Sequence, residues 1–341
     1  MTATRPTTEA ADANGPARRS ARYPGTGRAV AVLVLVALGT LVVPLLGPSV
    51  ALHDTGEAAA PGVGGIALLR GVLFAALCVP LGELFVDRLA RRLPDPPPER
   101  PSSWAVFAAA AGFVAALGLA SVVSTGNLVP RSLADVDVGG LYQSRDGKLA
   151  LIEVNAFLLA GLCARARRPA LQVWPPAAVI VAEALRAHPA PEQSPLLGSA
   201  LTLVHLSCAT LWAGGLLHTL RLLHRWRGRE AGAALLGLYA RVAAVLLAAI
   251  TATGVWSSLR RMPAGTILDQ LTTTAYGRTL LAKVVLVAAV AALALWARFR
   301  LRRAADPLTA HLPARAEVAV LGVVVAVSGV LTALPVPIRW T

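Results

Sequence analysis

Residues 201–220, LTLVHLSCATLWAGGLLHTL, are apolar and long enough to cross a bilayer, yet they hold His205, Cys208 and His218. An ionisable or metal-liganding side chain in hydrocarbon is costly, so each one needs a reason to be there. On helical spacing His205, Cys208, Trp212 and Gly215 stand at i, i+3, i+7 and i+10 and share one face. That face joins an imidazole, a thiol, an aromatic ring and a glycine that permits close packing. It suits the inside of a helix bundle better than a lipid surface. An imidazole with a thiol one turn away suits a soft ion such as copper(I), and imidazole also suits copper(II).

Plainer readings stand beside these. A buried histidine is satisfied by a hydrogen bond to a neighbouring helix, and a lone cysteine is more often a small packing residue. His188, at the outer end of the fifth apolar stretch, and His53, in the first loop, stand where an ion from outside would arrive, as does the thioether of Met262. The chain has 2 methionines, one of them the initiator, so it holds no methionine-rich relay. His224 and His311 fall in basic loops and read as solvated. His205 and His218 are also spaced like the histidines of membrane b-type cytochromes. Those haems take axial histidines from different helices, and only His188 is placed to partner His205, so haem is disfavoured.

The elements that must position these groups are transmembrane helices. Of 341 residues, 56% are hydrophobic and 15% charged, with a mean hydropathy of +0.63. A soluble chain of this length could not hide so much apolar surface. The net charge of +14 would suggest nucleic acid in a soluble protein. Here the charges lie between apolar stretches, so membrane topology explains them and no nucleic-acid partner is expected. The three cysteines, Cys78, Cys163 and Cys208, have no spacing that suggests a disulfide framework or a zinc site.

The fold class expected is all-α: a polytopic transmembrane bundle of about nine helices embedded in the lipid bilayer. The spans fall near 30–50, 65–86, 104–125, 149–163, 173–187, 197–220, 233–256, 279–297 and 316–336, the fourth and fifth being short for a crossing. Residues 1–28 read as a disordered cytoplasmic tail, 29–190 as helices one to five, and 191–341 as a second unit of helices six to nine. With the amino terminus inside, most of the 32 basic residues lie in cytoplasmic segments, and the carboxyl terminus is external. Arg186 counts among the external minority. The segment around PDPPPERP is a stiff cytoplasmic connector.

This topology puts Arg70, Glu153, Asn155, Glu183, His205, Cys208 and Lys283 in the outer half of the membrane. Glu83, His218, Arg241 and Glu317 fall in the inner half. Opposite charges occur in both layers, so pairing is feasible. Two readings stay open: structural ion pairs between helices, or a polar path with the outer cluster as its entry. There is no phosphate-binding glycine loop, no HExxH and no Gly-x-Ser-x-Gly elbow, and no intramembrane CPC motif joined to an ATPase domain. Neither an enzyme nor a primary pump is expected.

The carboxyl-terminal part resembles the copper-resistance protein D (CopD) family. His205-Leu206 followed by Leu211-Trp212-Ala213-Gly214-Gly215-Leu216 is similar to its H-L-x(5)-W-x-G-G-L signature. Thr253-Gly254-Val255 follows, and then Thr273-Thr274-Ala275-Tyr276-Gly277-Arg278 with Leu280-Leu281-Ala282-Lys283-Val284, similar to a T-x-Y-G-R-x-L-L-x-K block. Arg315-Ala316-Glu317 opens the last helix, as in the family's R-x-E ending. The upstream helices look like those of longer actinobacterial-type members, here without the oxidase-assembly domain fused to some of them. Where members often carry a Gly-His turn, this chain reads Ala187-His188-Pro189, so the histidine is kept and the backbone altered.

The resemblance implies a multi-pass protein of the bacterial cytoplasmic (plasma) membrane, with copper uptake or delivery as its function and copper homeostasis and resistance as its role. Copper is the ion it would handle, and a separate external CopC-like copper-binding protein is the partner it would need. In that reading His188 and His205 form the outer capture site, with Cys208, Met262 and His53 as weaker ligands. Trp212, Gly214 and Gly215 shape a helix contact. Glu153, Glu183, Lys283, Tyr276 and Arg278 line or tune the path, and His218 with Glu317 forms an inner exit. The rival readings are a haem-binding membrane electron carrier and a non-transporting scaffold for oxidase metallation.

Overall fold

The computed structural model describes residues 25–336 apart from 59, 129, 131, 133, 134, 136, 167, 169, 190–193, 227, 228, 263 and 304–310, and no side chains before 39 or from 297 to 318. Its elements are α1 (Gly25–Leu52), α2 (Val63–Ala90), α3 (Ala105–Thr125), α4 (Val138–Gln143), α5 (Arg145–Arg165), α6 (Trp174–Arg186), α7 (Pro195–Arg225), α8 (Glu230–Arg261), α9 (Ile267–Thr273), α10 (Ala275–Arg303) and α11 (His311–Ala333). No strand occurs among the described residues. The all-helical outcome follows from the solvent. Lipid offers no hydrogen bonds, so each apolar stretch must satisfy its backbone within itself. Pro44, Pro48 and Pro80 are accommodated inside α1 and α2.

Each expected span coincides with a helix, and several helices run longer. Among the described residues six helices are long and apolar enough to cross a membrane: α2, α3, α5, α7, α8 and the Ala275–Trp296 part of α10. The chain is therefore a multi-pass membrane protein. Two expectations change. The fourth stretch is a full 21-residue helix, α5. The fifth, α6, has only 13 residues, about 20 Å of rise against about 30 Å of hydrocarbon. Turns on either side of it complete the connection. Of the tail assigned to 1–28, residues 1–24 lie outside the described residues, and α1 already begins at Gly25.

Two short helices were not expected. The Asp137 carboxylate accepts from Gly140 N at 2.8 Å and starts α4. The Ser144 hydroxyl accepts from Gly147 N at 3.0 Å and starts α5. Between α9 and α10 the chain turns so tightly that a Cβ on Gly277 would overlap the Gln270 carbonyl.

Successive long helices alternate in direction. The loop after α1 meets the start of α10, where Arg278 donates to the His53 carbonyl at 2.6 Å. The end of α8 meets the loop between α6 and α7, where Arg260 donates to the Ser194 carbonyl at 3.1 Å. We term this the first end of the bundle. At the opposite end the last turns of α2 and α7 meet residues 99–104.

The α2 helix runs through the middle, packed against α1, α3, α7 and α11. Leu73, Phe74 and Leu77 of α2 share a core with Ala115, Leu119, Phe157, Val179 and Ile180. Val86 and Leu89 join Trp212, Leu216, Leu235 and Tyr239 in a second core. Lipid is the natural neighbour of α10, whose apolar window is only 11% buried.

Candidate functional site

The α7 helix carries the residues singled out for chemistry, and its packing fixes where each one faces. It crosses α2 at Gly214, where a Cβ would overlap the Cys78 carbonyl and where Gly82 of α2 lies directly opposite. Small residues let the two backbones touch. One residue on, a Cβ at Gly215 would come within 2.8 Å of the Tyr239 ring. Tyr239 of α8 donates its hydroxyl to the Trp212 carbonyl at 2.6 Å. Trp212 is buried in that same core. The tryptophan and glycines thus lock α7 between α2 and α8, and this lock orients the turns above it.

Two turns toward the first end, His205 faces α8. Its Nδ1 is 3.0 Å from the Thr253 hydroxyl, and Gly254 lies under the ring, with 3.6 Å from its would-be Cβ to Cε1. The Thr253 hydroxyl has one proton, and two carbonyls of its own helix are placed to accept it, Ala249 at 2.7 Å and Ile250 at 3.1 Å. Thr253 therefore accepts from His205, which assigns the proton to Nδ1 and leaves Nε2 as the ring's lone-pair nitrogen. Lys283 lies two turns into α10. Cys208 is a half-buried free thiol one turn along α7, packed against the core that contains Trp212.

His188 is buried just beyond α6. Its Nε2 is 2.9 Å from the Thr202 hydroxyl of α7, and its ring lies so close to Gly198 that a Cβ there would overlap it. Thr202 and His205 stand one turn apart on α7, so the two histidines attach to neighbouring turns of one helix. Each reaches its own threonine. Met262 is fully buried at the end of α8. The adjacent Arg261 donates to the Tyr276 hydroxyl at 3.1 Å and to the Ala187 carbonyl at 3.4 Å. Arg278 holds the Thr272 and His53 carbonyls. The His53 side chain is exposed and stands 2.8 Å from the Asp54 carboxylate. Among the described residues, no three His, Cys, Asp or Glu side chains are grouped to hold one metal ion.

Glu153 and Glu183 belong to a separate cluster. Glu183 pairs with Arg70 of α2 and stands 3.7 Å from Arg186. Glu153 of α5, wholly buried, is 3.0 Å from Arg186. Arg186 was counted among the external basic residues; the last turn of α6 carries it into the bundle instead. Asn155 faces outward and donates to the Leu151 carbonyl of its own helix at 2.8 Å.

At the opposite end Glu83 accepts from Arg221 at 2.8 Å, from the Ser103 hydroxyl at 2.5 Å and from Trp104 N at 2.9 Å. The Arg221 guanidinium lies 3.8 Å over the Trp104 ring. His218 is buried, with Nε2 3.5 Å from Asp87. The Glu317 side chain lies outside the described residues, so the suggested pairing of His218 with Glu317 falls there too. Glu99, in the connector, accepts both Nη atoms of Arg229 at 2.8 and 2.9 Å. That guanidinium holds the Glu99 carboxyl below the usual carboxylate range.

Three residues of these networks were missed in the sequence. Thr253 stands in a quoted block, but its hydroxyl matters only once α8 is placed beside α7. Thr202 is three residues before His205, on the same helical face, and that spacing was available as a signal. Arg186 is three residues after Glu183, and this i,i+3 spacing would have paired them.

Residues 233–331 match the family model described as copper resistance protein D. The match takes in nearly all of α8, the whole of α9 and α10, and most of α11. Thr253, Tyr276, Arg278, Lys283 and Glu317 lie inside it, whereas α7 with His205 precedes it. No curated protein and no solved structure matches the chain.

Proposed function

Taking as premise the membership of the copper resistance protein D family that the match supports, we propose that this chain carries copper across the cytoplasmic membrane or delivers it there. The first end of the bundle faces outward, and His205 is the capture residue. The observation that carries this reading is the bond between His205 Nδ1 and Thr253. Histidines that bind metals commonly donate their other ring N–H to a neighbour, which fixes the tautomer and aims the free nitrogen. Nε2 is then the donor atom for copper. Cys208, one turn along, offers a sulfur that suits copper(I).

His188 and Met262 are buried near the same end and would pass the ion inward. Release of His188 from Thr202 is needed before its Nε2 can ligate. His53 is the outermost candidate. Glu153, Glu183, Lys283, Tyr276 and Arg278 act through electrostatics and packing, and His218 sits at the exit beside Asp87. A separate external copper-binding protein of the CopC kind would supply the ion.

The test is the copper content and visible spectrum of the purified protein in lipid nanodiscs, wild type beside His205→Ala. We expect bound copper in the wild type, its loss in the variant, and no haem band. Copper that is equal in both removes His205 from the site. Binding with no flux into vesicles would favour a scaffold for metallation, and a Soret band lost on substitution would favour an electron carrier.

A further inference from the structure

The Arg70, Glu153, Glu183 and Arg186 side chains converge from α2, α5 and α6 inside the bundle. By charge count the group is neutral with both carboxyls ionised. The distribution of contacts is uneven. Both guanidiniums converge on Glu183. Among the described residues Glu153 has only Arg186 Nη2, which stands 3.0 Å from Oε2 but out of line for a directed hydrogen bond, so both Glu153 oxygens are buried without one. The two carboxyls share Arg186, whose Nη2 stands by Glu153 Oε2 at 3.0 Å and whose Nη1 stands 3.7 Å from Glu183 Oε1, so one guanidinium brings them side by side.

Two ionised carboxylates offer only acceptors to each other, so such a contact is repulsive and leaves lone pairs unsatisfied. One proton changes that. Placed on Glu153, it makes the carboxyl a donor to Glu183, while Glu183 keeps its negative charge for Arg70 and Arg186. We propose that Glu153 and Glu183 form a carboxyl pair that holds one proton, a proton-binding site in the upstream helices apart from the His205 region.

The neighbours of Glu153 are compatible with this. From α6 stand Arg186 and, on the same guanidinium, Glu183, whose other partner is Arg70 of α2. The sequences of α3 and α4, also packed on α5, contain no charged residue. Asp146 and Lys148, near the start of α5, are exposed. The side chains of Arg70 and Arg186 remain 13% and 12% exposed, against 0% for Glu153. The site asks nothing of copper and stands or falls without it.

The measurement is infrared difference spectroscopy of the full chain in nanodiscs, titrated from acid to alkaline pH. The wild type should show the carbonyl stretch of one protonated carboxylic acid per chain, persisting above the pH at which exposed carboxyls ionise and shifting in D2O. Glu153→Gln should lose that band with helix content unchanged. A band retained at full strength in both Glu153→Gln and Glu183→Gln overturns the proposal. So does its absence from the wild type. Should Glu153→Gln not fold, wild-type protein carrying 13C-carboxyl glutamate decides: the band must shift, and an unshifted or missing band overturns the assignment.

Discussion

Thr253 decides which nitrogen of His205 is available, although its own chemistry is modest. Replacing it with valine keeps the shape and removes the acceptor for Nδ1–H. Copper affinity should then fall by about 10–100-fold, the usual effect of losing a neighbour that orients a metal-binding histidine. A copper titration of Thr253→Val checks this, and an unchanged affinity would show that the tautomer is irrelevant. Arg186 offers the complementary case. Among the described residues it is the only ion-pair partner of buried Glu153. It also stands 3.7 Å from Glu183, which carries the negative charge, and breaking a buried ion pair costs up to about 3–5 kcal/mol, less here because Arg70 stays on Glu183. Arg186→Ala should therefore unfold earlier in a denaturant titration, and adding Glu153→Gln, which replaces a carboxyl already neutralised by its proton, should recover little of the loss.

At the scale of elements, the crossing of α2 and α7 tolerates no side chain. A methyl group at Gly214 meets the backbone carbonyl of Cys78, not a flexible side chain, so the helices must part. Overpacking a core costs about 1–3 kcal/mol, and a backbone clash belongs at the upper limit. Gly214→Ala should lower the melting temperature in detergent, whereas Gly237→Ala, which meets nothing on α8, should not. The connector between α2 and α3 is held to α8 by Glu99 and Arg229. The Glu99 carboxyl titrates below its ordinary range because Arg229 binds the charged form. The link is thus complete above the unfolded carboxylate's pKa and is lost as pH falls through the lower folded value. Limited proteolysis should cut residues 91–104 faster in Glu99→Gln than in wild type at neutral pH. That difference should vanish in acid.

At the scale of the whole molecule, alternation of the long helices gathers the loop after α1, the α6–α7 loop and the start of α10 at one end. Residues 99–104 and the end of α7 lie at the other. If the first end is external, a single cysteine at His53 should react with a membrane-impermeant maleimide in intact cells. One at Glu99 should react only after permeabilisation. Labelling of both from the same side would refute the alternation. The short α6 makes this test worthwhile, since a 13-residue helix crosses only with help from its flanking turns.

The sequence by itself determined the class of the protein and the place of its long helices. Long apolar stretches can only become helices in lipid, and each basic cluster marks an end. It also located the glycines of α7, because a Gly-Gly pair in an apolar span has few purposes other than close approach. Tertiary structure alone decided which polar groups meet. His188 and His205 read as a pair along the chain, yet each is taken by a different threonine. Arg186 read as a loop residue, yet it enters the bundle between two glutamates. Such partners come from other helices and depend on rotation and depth. Helical periodicity fixes the face a residue shares with its own neighbours, but carries no information about which helix will lie against that face.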